Sequence, residues 1–232
     1  MRENNQLPMA AKYEPSGIIQ IHSIFPTIQG EGPFCGERAL FFRLHGCNLR
    51  CPGCDTDYTS TILQVVPHFM ATKARELNWP GGALVVITGG EPFRQNVGPA
   101  IRALLDAGYR VQVETNGVLA PDGLPWEHPR FSVVCSPKTQ RIHETIWQEA
   151  LAFKYVLRAG EVDPEDGLPT RALLHKASPR VARPPAGAKV YVQPMDEADP
   201  AANALNLDAA IRSAMDYGHV LQIQVHKHIN ME

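Results

Sequence analysis

Three cysteines within eight residues could bind an inorganic cluster. Cys47, Cys51 and Cys54 are separated by three residues and then by two, and Pro52 and Gly53 between them are typical of a loop. Three thiolates can bind three irons of a 4Fe-4S cubane and leave the fourth iron without a protein ligand. An open coordination position distinguishes a catalytic metal site from a closed structural one. The spacing therefore predicts a cluster that a further chelating group must complete.

The same cysteines could instead form a structural zinc site with His45 as the fourth ligand. A zinc ribbon usually has a second ligand pair farther along the chain, and the sequence contains none. The five cysteines are an odd number, which suits a metal site in a reducing compartment better than a disulfide framework. The remaining Cys35 and Cys135 are more typical of small buried residues than of ligands, although Cys35 lies nearer to the motif in sequence. We favour the iron-sulfur interpretation.

The elements that must position these cysteines follow a βα pattern. From residue 18 onward, short β-branched and aromatic runs alternate with amphipathic stretches, which is typical of an α/β fold with a parallel sheet. The predicted strands span 18–24, 39–44, 84–88, 110–114, 131–135, 153–157, 189–193 and 220–225. The predicted helices span 61–78, 97–107, 142–152 and 201–217. The proline-rich residues 159–188 predict loops and one helix around 171–176.

Polar and glycine-rich segments follow directly after several predicted strands. Cys47 comes after the second strand, Gly90 after the third, Asn116 after the fourth, Ser136 after the fifth and Asp196 after the seventh. In parallel α/β folds the loops at the carboxyl ends of the strands form one face, and that face carries the active site. We therefore expect these segments to meet at one cavity.

Length and charge indicate a single domain without a polymer partner. The chain has 232 residues, and we expect one domain over 18–232 preceded by a flexible extension over 1–17. The 22 basic and 24 acidic residues give a net charge of -2 without a basic stripe, so nucleic acid is not an expected partner. The apolar runs are far shorter than the ~20 residues of a membrane span, and the first residues do not resemble a secretion signal. We expect a cytoplasmic protein.

A second motif gives the cluster a chemical role. Thr88-Gly-Gly-Glu-Pro92, at the end of the third strand, together with the cysteine spacing resembles the radical S-adenosylmethionine (SAM) superfamily. The resemblance implies that the backbone of this motif and Glu91 bind the ammonium of SAM, whose amine and carboxylate chelate the fourth iron. Cleavage of SAM would give a 5′-deoxyadenosyl radical that abstracts hydrogen from a substrate, while the protein positions the reactants. Gly53 stands where the superfamily often has an aromatic residue, so we expect backbone contact with adenine there.

Further motifs narrow the resemblance. In chain order they are Pro26-Thr-Ile-Gln-Gly-Glu-Gly32, residues 42–57 around the cysteines, residues 86–92, Val113-Glu-Thr-Asn-Gly117, Ser136-Pro-Lys138, Gln193-Pro194 and His226-Lys-His-Ile-Asn230. In that order they are similar to the 7-carboxy-7-deazaguanine synthase family of queuosine and deazapurine biosynthesis. The N-terminal extension and the proline-rich stretch after Ala159 have no obvious counterpart in the family's motifs.

The resemblance implies a reaction and an assembly. Members of this family convert 6-carboxy-5,6,7,8-tetrahydropterin to 7-carboxy-7-deazaguanine with ring contraction and loss of ammonia. They require Mg2+ and regenerate SAM. The resemblance also implies an incomplete, TIM-like β/α barrel of about six core strands. A homodimer, and an electron donor such as a flavodoxin or ferredoxin, are further expectations.

The resemblance also assigns site residues. Cys47, Cys51 and Cys54 would bind the cluster, and Thr56 would give Mg2+ a hydroxyl oxygen, the ligand type that this hard cation takes. The substrate would contact Ile28, Gln29, Gly30, Glu31, Arg43 and Thr88. SAM would contact Gly53, Cys54, Asp55, Gly90, Glu91, Ser136, Pro137, Lys138, Gln193, Pro194, Met195 and Asp196. A role in closing the pocket falls to His226, Lys227 and His228, and His226 could also transfer a proton.

The chemistry of a pterin fits several of these assignments. Its pyrimidine edge presents donors and acceptors that Gln29 and Glu31 could match, and its carboxylate suits the guanidinium fork of Arg43. Taken singly, each feature has a simpler interpretation. Residues 29–32 could form a polar hairpin turn, Thr56 could cap a helix, and Arg43, Lys138 and the tail could lie on a solvated surface.

Two other functions stay open on sequence grounds. A radical SAM activase, which places a glycyl radical on a partner protein, has the same cysteine spacing but needs a large docking face. A noncatalytic metal-binding or electron-transfer module would leave the Gly-Gly-Glu-Pro and Ser-Pro-Lys loops unexplained. We therefore predict a radical SAM lyase that acts on the pterin.

Overall fold

The computed structural model describes residues 4–172 and 179–231, which form an α/β fold around one sheet. The strands are β1 (Ile19–Ile28), β2 (Arg38–Leu44), β3 (Leu63–Val65), β4 (Leu84–Gly89), β5 (Arg110–Thr115), β6 (Phe131–Cys135), β7 (Ala152–Leu157), β8 (Val190–Pro194) and β9 (Val220–Leu221). The helices are α1 (Phe69–Glu76), α2 (Gly98–Asp106), α3 (Glu144–Glu149), α4 (Pro200–Tyr217) and α5 (Val225–His228). Two short 3-10 helices span Gly32–Phe34 and Pro92–Arg94.

The sheet is parallel through its centre. Its strand order is β3-β1-β2-β4-β5-β6-β7-β8-β9, and every neighbouring pair from β2 to β9 is parallel. Only β1 and β3, at one edge of the described sheet, pair in the antiparallel sense. This confirms the predicted α/β class with a parallel sheet.

The two faces of the sheet differ in polarity because alternate residues of a strand point to opposite faces. One face packs against the helices through fully buried apolar side chains such as Phe42, Ile87 and Val113. Their neighbours in sequence, including Arg43, Thr88 and Glu114, project from the other face near the carboxyl ends of the strands. Polar residues are thereby collected on one side of an otherwise apolar sheet.

Two predicted elements differ most from the structure, while β1 continues to Ile28 beyond the expected 18–24 and α3 is shorter than the expected 142–152. Residues 61–78 were expected to be one helix, but they form β3 and then α1, which begins only at Phe69. Pro67 explains the break, because proline lacks the amide proton of a helix interior and disfavours helical backbone in the residue before it. The strand expected over 220–225 ends at Leu221, and the chain turns into α5 after the buried Gln222, whose Oε1 accepts a hydrogen bond from Gly32 N at 2.6 Å.

The remaining predictions concern the ends and loops of the chain. The helix expected around 171–176 lies mostly outside the described residues. The flexibility expected for 1–17 stays a prediction, although Asn4 and Met9 contact the loop that carries the cysteines. Within the described part of the chain, no helix is long and apolar enough to cross a membrane.

Candidate active site

A cavity of about 680 Å³ lies at the carboxyl ends of the parallel strands. Its volume falls within the range of about 300–1,000 Å³ that is typical of small-molecule sites. The loops after β2, β4, β5, β6 and β8 all contribute to its walls. The polar segments of the sequence therefore meet in one place.

Most residues predicted for the site line this cavity. They are Ile28, Gln29, Gly30, Glu31, Arg43, Cys47, Cys51, Gly53, Cys54, Asp55, Thr56, Thr88, Gly90, Ser136, Lys138, Gln193, Pro194, Met195, Asp196, His226 and Lys227. Glu91 and Pro137 are buried but are not part of the lining, so their direct contact with SAM stays a prediction. Cys35 is exposed and Cys135 lies in the apolar core, and neither reaches the cavity.

The three cysteines lie on a loop, residues 45–62, between β2 and β3. Cys47 is 8% exposed and Cys51 and Cys54 are half-buried. Burial raises the pKa of the Cys47 thiol to about 12 and that of Cys51 to about 11. Metal binding requires thiolates, so a metal must displace the protons as it binds. We refer to Cys47, Cys51, Cys54 and the adjoining Gly90 as the cysteine side of the cavity.

The arrangement fits a cubane better than a zinc ion. His45, the alternative fourth ligand, is 4% exposed and does not line the cavity, and its Nδ1 lies 3.2 Å from the Thr61 carbonyl oxygen. Among the described residues, no three His, Cys, Asp or Glu side chains converge on a single ion. A cubane instead takes one thiolate on each of three irons. The three thiols around one cavity are therefore suitable ligands for a cluster with one iron facing a second ligand.

The glycine pair after β4 allows two loops to touch. A Cβ atom on Gly90 would overlap the carbonyl group of Gly46, next to the first cysteine. Glu91 N donates to Gly46 O at 3.0 Å, and Gly90 N donates to Leu44 O at 3.3 Å. Only glycine permits this approach, so the sequence Gly-Gly-Glu fixes where the cysteine loop begins relative to β4.

Glu91 has a structural function that the motif alone does not reveal. Its carboxylate is fully buried and accepts hydrogen bonds from Thr115 Oγ1 at 2.7 Å, Asn116 N at 2.7 Å and Phe93 N at 2.9 Å. Burial raises the pKa of Glu91 to about 7, although the three donors act in the opposite direction. Asn116 also donates through Nδ2 to Asn48 Oδ1 at 2.8 Å. Glu91 and Asn116 thus join the ends of β4 and β5 to the cysteine loop.

Carboxylates form a second region of the same cavity, which we call the carboxylate side (Glu31, Glu114 and Lys154). Glu114 on β5 accepts from Gln29 Nε2 at 3.0 Å and from Thr88 Oγ1 at 3.1 Å. Two residues with predicted substrate contacts are therefore held by an acidic residue that sequence reasoning did not select. The position of Glu114 within the motif Val113-Glu-Thr-Asn-Gly117 was the sequence signal that could have identified it.

Glu31 forms a buried ion pair with Lys154 on β7. Burial disfavours both charges, but the Lys154 ammonium lowers the pKa of Glu31 to about 2, and Glu31 raises the pKa of Lys154. Gln224 Nε2 also donates to Glu31 Oε1 at 2.7 Å. Lys154 was missed by sequence reasoning, although a lysine inside the otherwise apolar run of β7 was a detectable signal.

Arg43 and Thr88 lie side by side on neighbouring strands and face the cavity. The guanidinium carbon of Arg43 lies 4.9 Å from the centre of the Phe25 ring. Stacking on an aromatic face fixes the plane of the guanidinium group. Arg43 is therefore half-buried in the cavity wall and not on a solvated surface.

Lys138 and Gln193 present polar groups on the β6 and β8 walls. Lys138 Nζ donates to Ser136 Oγ at 2.5 Å, and burial lowers the pKa of this lysine. Gln193 is 5% exposed, and its Oε1 has no hydrogen-bond partner among the described residues. A buried acceptor of this kind is costly unless a donor satisfies it. Both side chains suit the amino-acid and ribose groups of SAM.

The last described helix covers the cavity. Val225 N donates to Gly30 O at 3.4 Å, and a Cβ atom on Gly30 would overlap the ring of His226. Lys227 Nζ lies 3.3 Å from Asp55 Oδ2 and 3.0 Å from Asp196 Oδ2. α5 thereby bridges the cysteine loop and the loop after β8. Thr56, in the cysteine loop, also lines the cavity. In the described part of the chain, no helix begins at this residue.

A three-cysteine loop beside a Gly-Gly-Glu turn, at the carboxyl ends of a parallel sheet, defines the radical SAM class of iron-sulfur enzymes. Consistent with this, a family model described as "4Fe-4S single cluster domain" matches residues 28–133. A 7-carboxy-7-deazaguanine synthase of Rhodospirillum rubrum is 46% identical over 218 residues, which cover 89% of this chain and 90% of the relative. The chain belongs to the 7-carboxy-7-deazaguanine synthase family.

Other relatives agree. The 7-carboxy-7-deazaguanine synthase of Rickettsia prowazekii is 35% identical over 223 residues, which cover 92% of this chain and 89% of the relative. The crystal structure of QueE from Escherichia coli has the same fold, with a TM-score of 0.67 and 23% identity over 89% of this chain and 94% of that chain. Membership of the family confirms the predicted radical SAM lyase, with an iron-sulfur cluster and SAM as cofactors.

Proposed function

We propose that this enzyme converts 6-carboxy-5,6,7,8-tetrahydropterin to 7-carboxy-7-deazaguanine, with ring contraction and loss of ammonia, in queuosine or related deazapurine synthesis. The observation that carries the proposal is the joint cavity. Three cysteines and a Gly-Gly-Glu turn share it with Glu31, Glu114 and Arg43, which match the polar edge and the carboxylate of a pterin.

The cysteine side would hold the cofactors. Cys47, Cys51 and Cys54 would bind the cluster, and Lys138 and Gln193 would contact SAM together with the backbone of Gly90. When bound, the cluster and SAM together would supply a 5′-deoxyadenosyl radical that abstracts a hydrogen atom from the substrate. The residues that line the cavity orient this hydrogen atom of the substrate and exclude water from it.

The carboxylate side would orient the pterin. Glu31 is held ionised by Lys154, so it can accept hydrogen bonds from the amino and ring N–H groups of the pyrimidine. Arg43 would bind the carboxylate through two parallel N–H donors. Gln29 and Thr88 already share Glu114, which places their polar groups in fixed directions.

His226 is the candidate for proton transfer. Burial lowers its pKa, so the imidazole is neutral at neutral pH and can accept a proton. It lies against Gly30, beside the residues proposed for pterin binding. Loss of ammonia requires protonation of the leaving amino group, and a histidine beside the substrate can relay that proton.

The proposal includes Mg2+ bound through Thr56. The Thr56 hydroxyl lies at the cavity wall, 3.4 Å from Asp55 Oδ1. Mg2+ commonly keeps several waters and takes one or two protein oxygens together with substrate oxygens. A hydroxyl beside a carboxylate, at the edge of a cavity for an anionic substrate, suits that pattern.

The finer architecture and the cellular context are also proposals. We propose that β2 and β4 to β8 form an incomplete barrel, supported by their continuous parallel pairing. We propose one domain over 18–232 that works as a cytoplasmic homodimer and receives electrons from a flavodoxin or ferredoxin. Exposed Leu205 and Met215 on α4 offer apolar surface for a contact between subunits.

Product analysis tests the proposed reaction. The reconstituted protein would be incubated without oxygen with reductant, Mg2+, SAM and 6-carboxytetrahydropterin, and Cys51→Ala would serve as the matched control. We expect 7-carboxy-7-deazaguanine with little loss of SAM from the wild type and none from the variant. If 5′-deoxyadenosine and methionine accumulate while the pterin survives, the substrate assignment is wrong. Turnover without a partner protein also separates this function from that of an activase.

A further inference from the structure

The cysteine loop has little regular structure of its own. Residues 45–62, all of which the structure describes, contain neither helix nor strand. Within the loop, Gly46 N donates to Tyr58 O at 2.9 Å and Cys54 N donates weakly to Cys51 O at 3.4 Å. A loop of this kind loses conformational entropy when it takes one shape, so contacts from outside must offset that loss.

Several of these outside contacts come from residues 4–14, which we call the strap. Met9 N donates to the carbonyl oxygen of Cys47 at 2.7 Å. Asn4, which is 7% exposed, donates through Nδ2 to the carbonyl oxygen of Cys51 at 3.0 Å. Two of the three cysteines are therefore held by hydrogen bonds from the strap to their own backbone.

A single glutamine holds the segment after the third cysteine. Gln6 Nε2 donates to Thr56 O at 2.9 Å, while Gln6 Oε1 accepts from Tyr58 N at 2.9 Å and from Thr59 Oγ1 at 3.1 Å. One side-chain amide thus fixes the backbone two to four residues beyond Cys54. This segment also contains Thr56, the proposed Mg2+ ligand.

The strap is itself anchored at both ends. Asn4 Oδ1 accepts from Gln6 N at 3.0 Å, and Arg50 Nε donates to Asn4 O at 2.7 Å. Farther along, Lys12 N donates to Arg94 O at 2.7 Å, and Arg94 donates through its two terminal nitrogens to Ala10 O at 3.2 Å and His45 O at 2.9 Å. The strap therefore links the cysteine loop to the segment that follows Gly-Gly-Glu.

We propose that Asn4 and Gln6 are positioning residues for the iron-sulfur cluster. They hold the loop backbone so that its three thiols keep the spacing that a cubane requires. Groups that orient metal ligands without touching the metal commonly contribute 10–100-fold to metal affinity. The inference rests on the cluster and is independent of the substrate.

Cluster retention tests this inference. Asn4→Ala, Gln6→Ala and the double variant would be compared with the wild type and with Leu7→Ala, a control within the strap whose side chain is 70% exposed. Each protein would be reconstituted without oxygen, its iron and sulfide counted, and the loss of cluster absorbance followed after addition of an iron chelator. We expect the double variant to lose its cluster about tenfold faster, or more, and Leu7→Ala to match the wild type.

Equal rates of loss in all proteins would overturn the proposal. Unfolding temperatures of the cluster-free proteins show whether a substitution damages the fold. If the double variant is destabilised, the rate of cluster loss in Gln6→Asn is compared with that of the wild type instead. This substitution keeps the amide but shortens its reach by one methylene. Faster cluster loss in Gln6→Asn supports the strap, and the wild-type rate refutes it. No pterin is present, so the result does not depend on the proposed reaction.

Discussion

The cysteine side and the carboxylate side of the cavity are stabilised in opposite ways. Burial leaves the thiols of Cys47 and Cys51 protonated, with pKa values of about 12 and about 11, although the Lys138 ammonium acts to lower the pKa of Cys51. Glu31, by contrast, is ionised and paired with Lys154. One side gains its charge only when a metal displaces protons, whereas the other side carries charge as soon as the chain is folded.

The difference shows which part of the site depends on its ligand. The cysteine side is fixed through its backbone, by contacts such as Glu91 N to Gly46 O and Met9 N to Cys47 O. The carboxylate side is fixed through side chains, as in the bonds that Glu114 accepts from Gln29 and Thr88. Changes to the thiols should therefore remove the cofactor and spare the fold, while changes to the carboxylates should affect the fold as well.

Removal of one thiol should have the largest effect. Cys51→Ala leaves two thiolates for a cubane, and we expect no stable 4Fe-4S cluster and no turnover. Iron content and the visible spectrum after reconstitution provide the measurement. Cys35→Ala, which changes an exposed cysteine outside the cavity, should retain both. An intact, redox-active 4Fe-4S spectrum in Cys51→Ala would contradict the ligand assignment.

Loss of the buried lysine should have the next largest effect. Lys154→Met leaves the Glu31 charge buried and unpaired, and breaking a buried ion pair typically costs about 3–5 kcal/mol of unfolding free energy. The double variant Glu31→Gln/Lys154→Met should be destabilised less than Lys154→Met alone. Urea unfolding of the cluster-free proteins gives the coupling energy of the pair. Additive effects of the two single substitutions would show that the pair does not interact.

Arg43→Ala should affect the substrate while sparing the cofactors. A charged hydrogen-bonded contact contributes about 1.5–3 kcal/mol, so kcat/KM for the pterin should fall about 10–100-fold. Reductive cleavage of SAM without the pterin should continue, because Arg43 belongs to neither the cysteine loop nor the Gly-Gly-Glu turn. Arg75→Ala, at an exposed arginine of α1 that does not line the cavity, is the matched control for loss of one arginine charge. A wild-type kcat/KM for the pterin in Arg43→Ala would remove this residue from the site.

The smallest effect should come from Lys227 on α5, which contacts Asp55 of the cysteine loop and Asp196 of the loop after β8. Backbone and Lys227 hydrogen bonds lower the pKa of Asp196 to about 2, so its attraction to Lys227 is complete above the ordinary aspartate pKa of about 3.9 and is lost as the pH falls toward about 2. An exposed pair contributes at most about 1 kcal/mol. Amide exchange in α5 should be slightly faster in Lys227→Ala, and this difference from the wild type should shrink at low pH and high salt.

Local patterns predicted the centre of the sheet and the cysteine side. The apolar runs of β4 and β7 identified buried parallel strands, and the spacing of the cysteines and Gly90 defined a motif within single segments. On the carboxylate side the resemblance selected Glu31, but its pairing with Lys154 could not be predicted, because the two residues become partners only after the chain has folded. The same reason applies to Asn4 and Gln6, whose partners lie about 50 residues away.

The distribution of these partners along the chain also bears on the order in which the enzyme takes shape. Every contact described between the strap, the cysteine loop and the Gly-Gly-Glu turn lies within residues 4–116. Glu31 instead needs partners from β7, β8 and the segment before α5, at Lys154, Gln193 and Gln224. During synthesis, which proceeds from the N-terminus, the segments that hold the cluster are therefore all made before the partners that fix Glu31 exist.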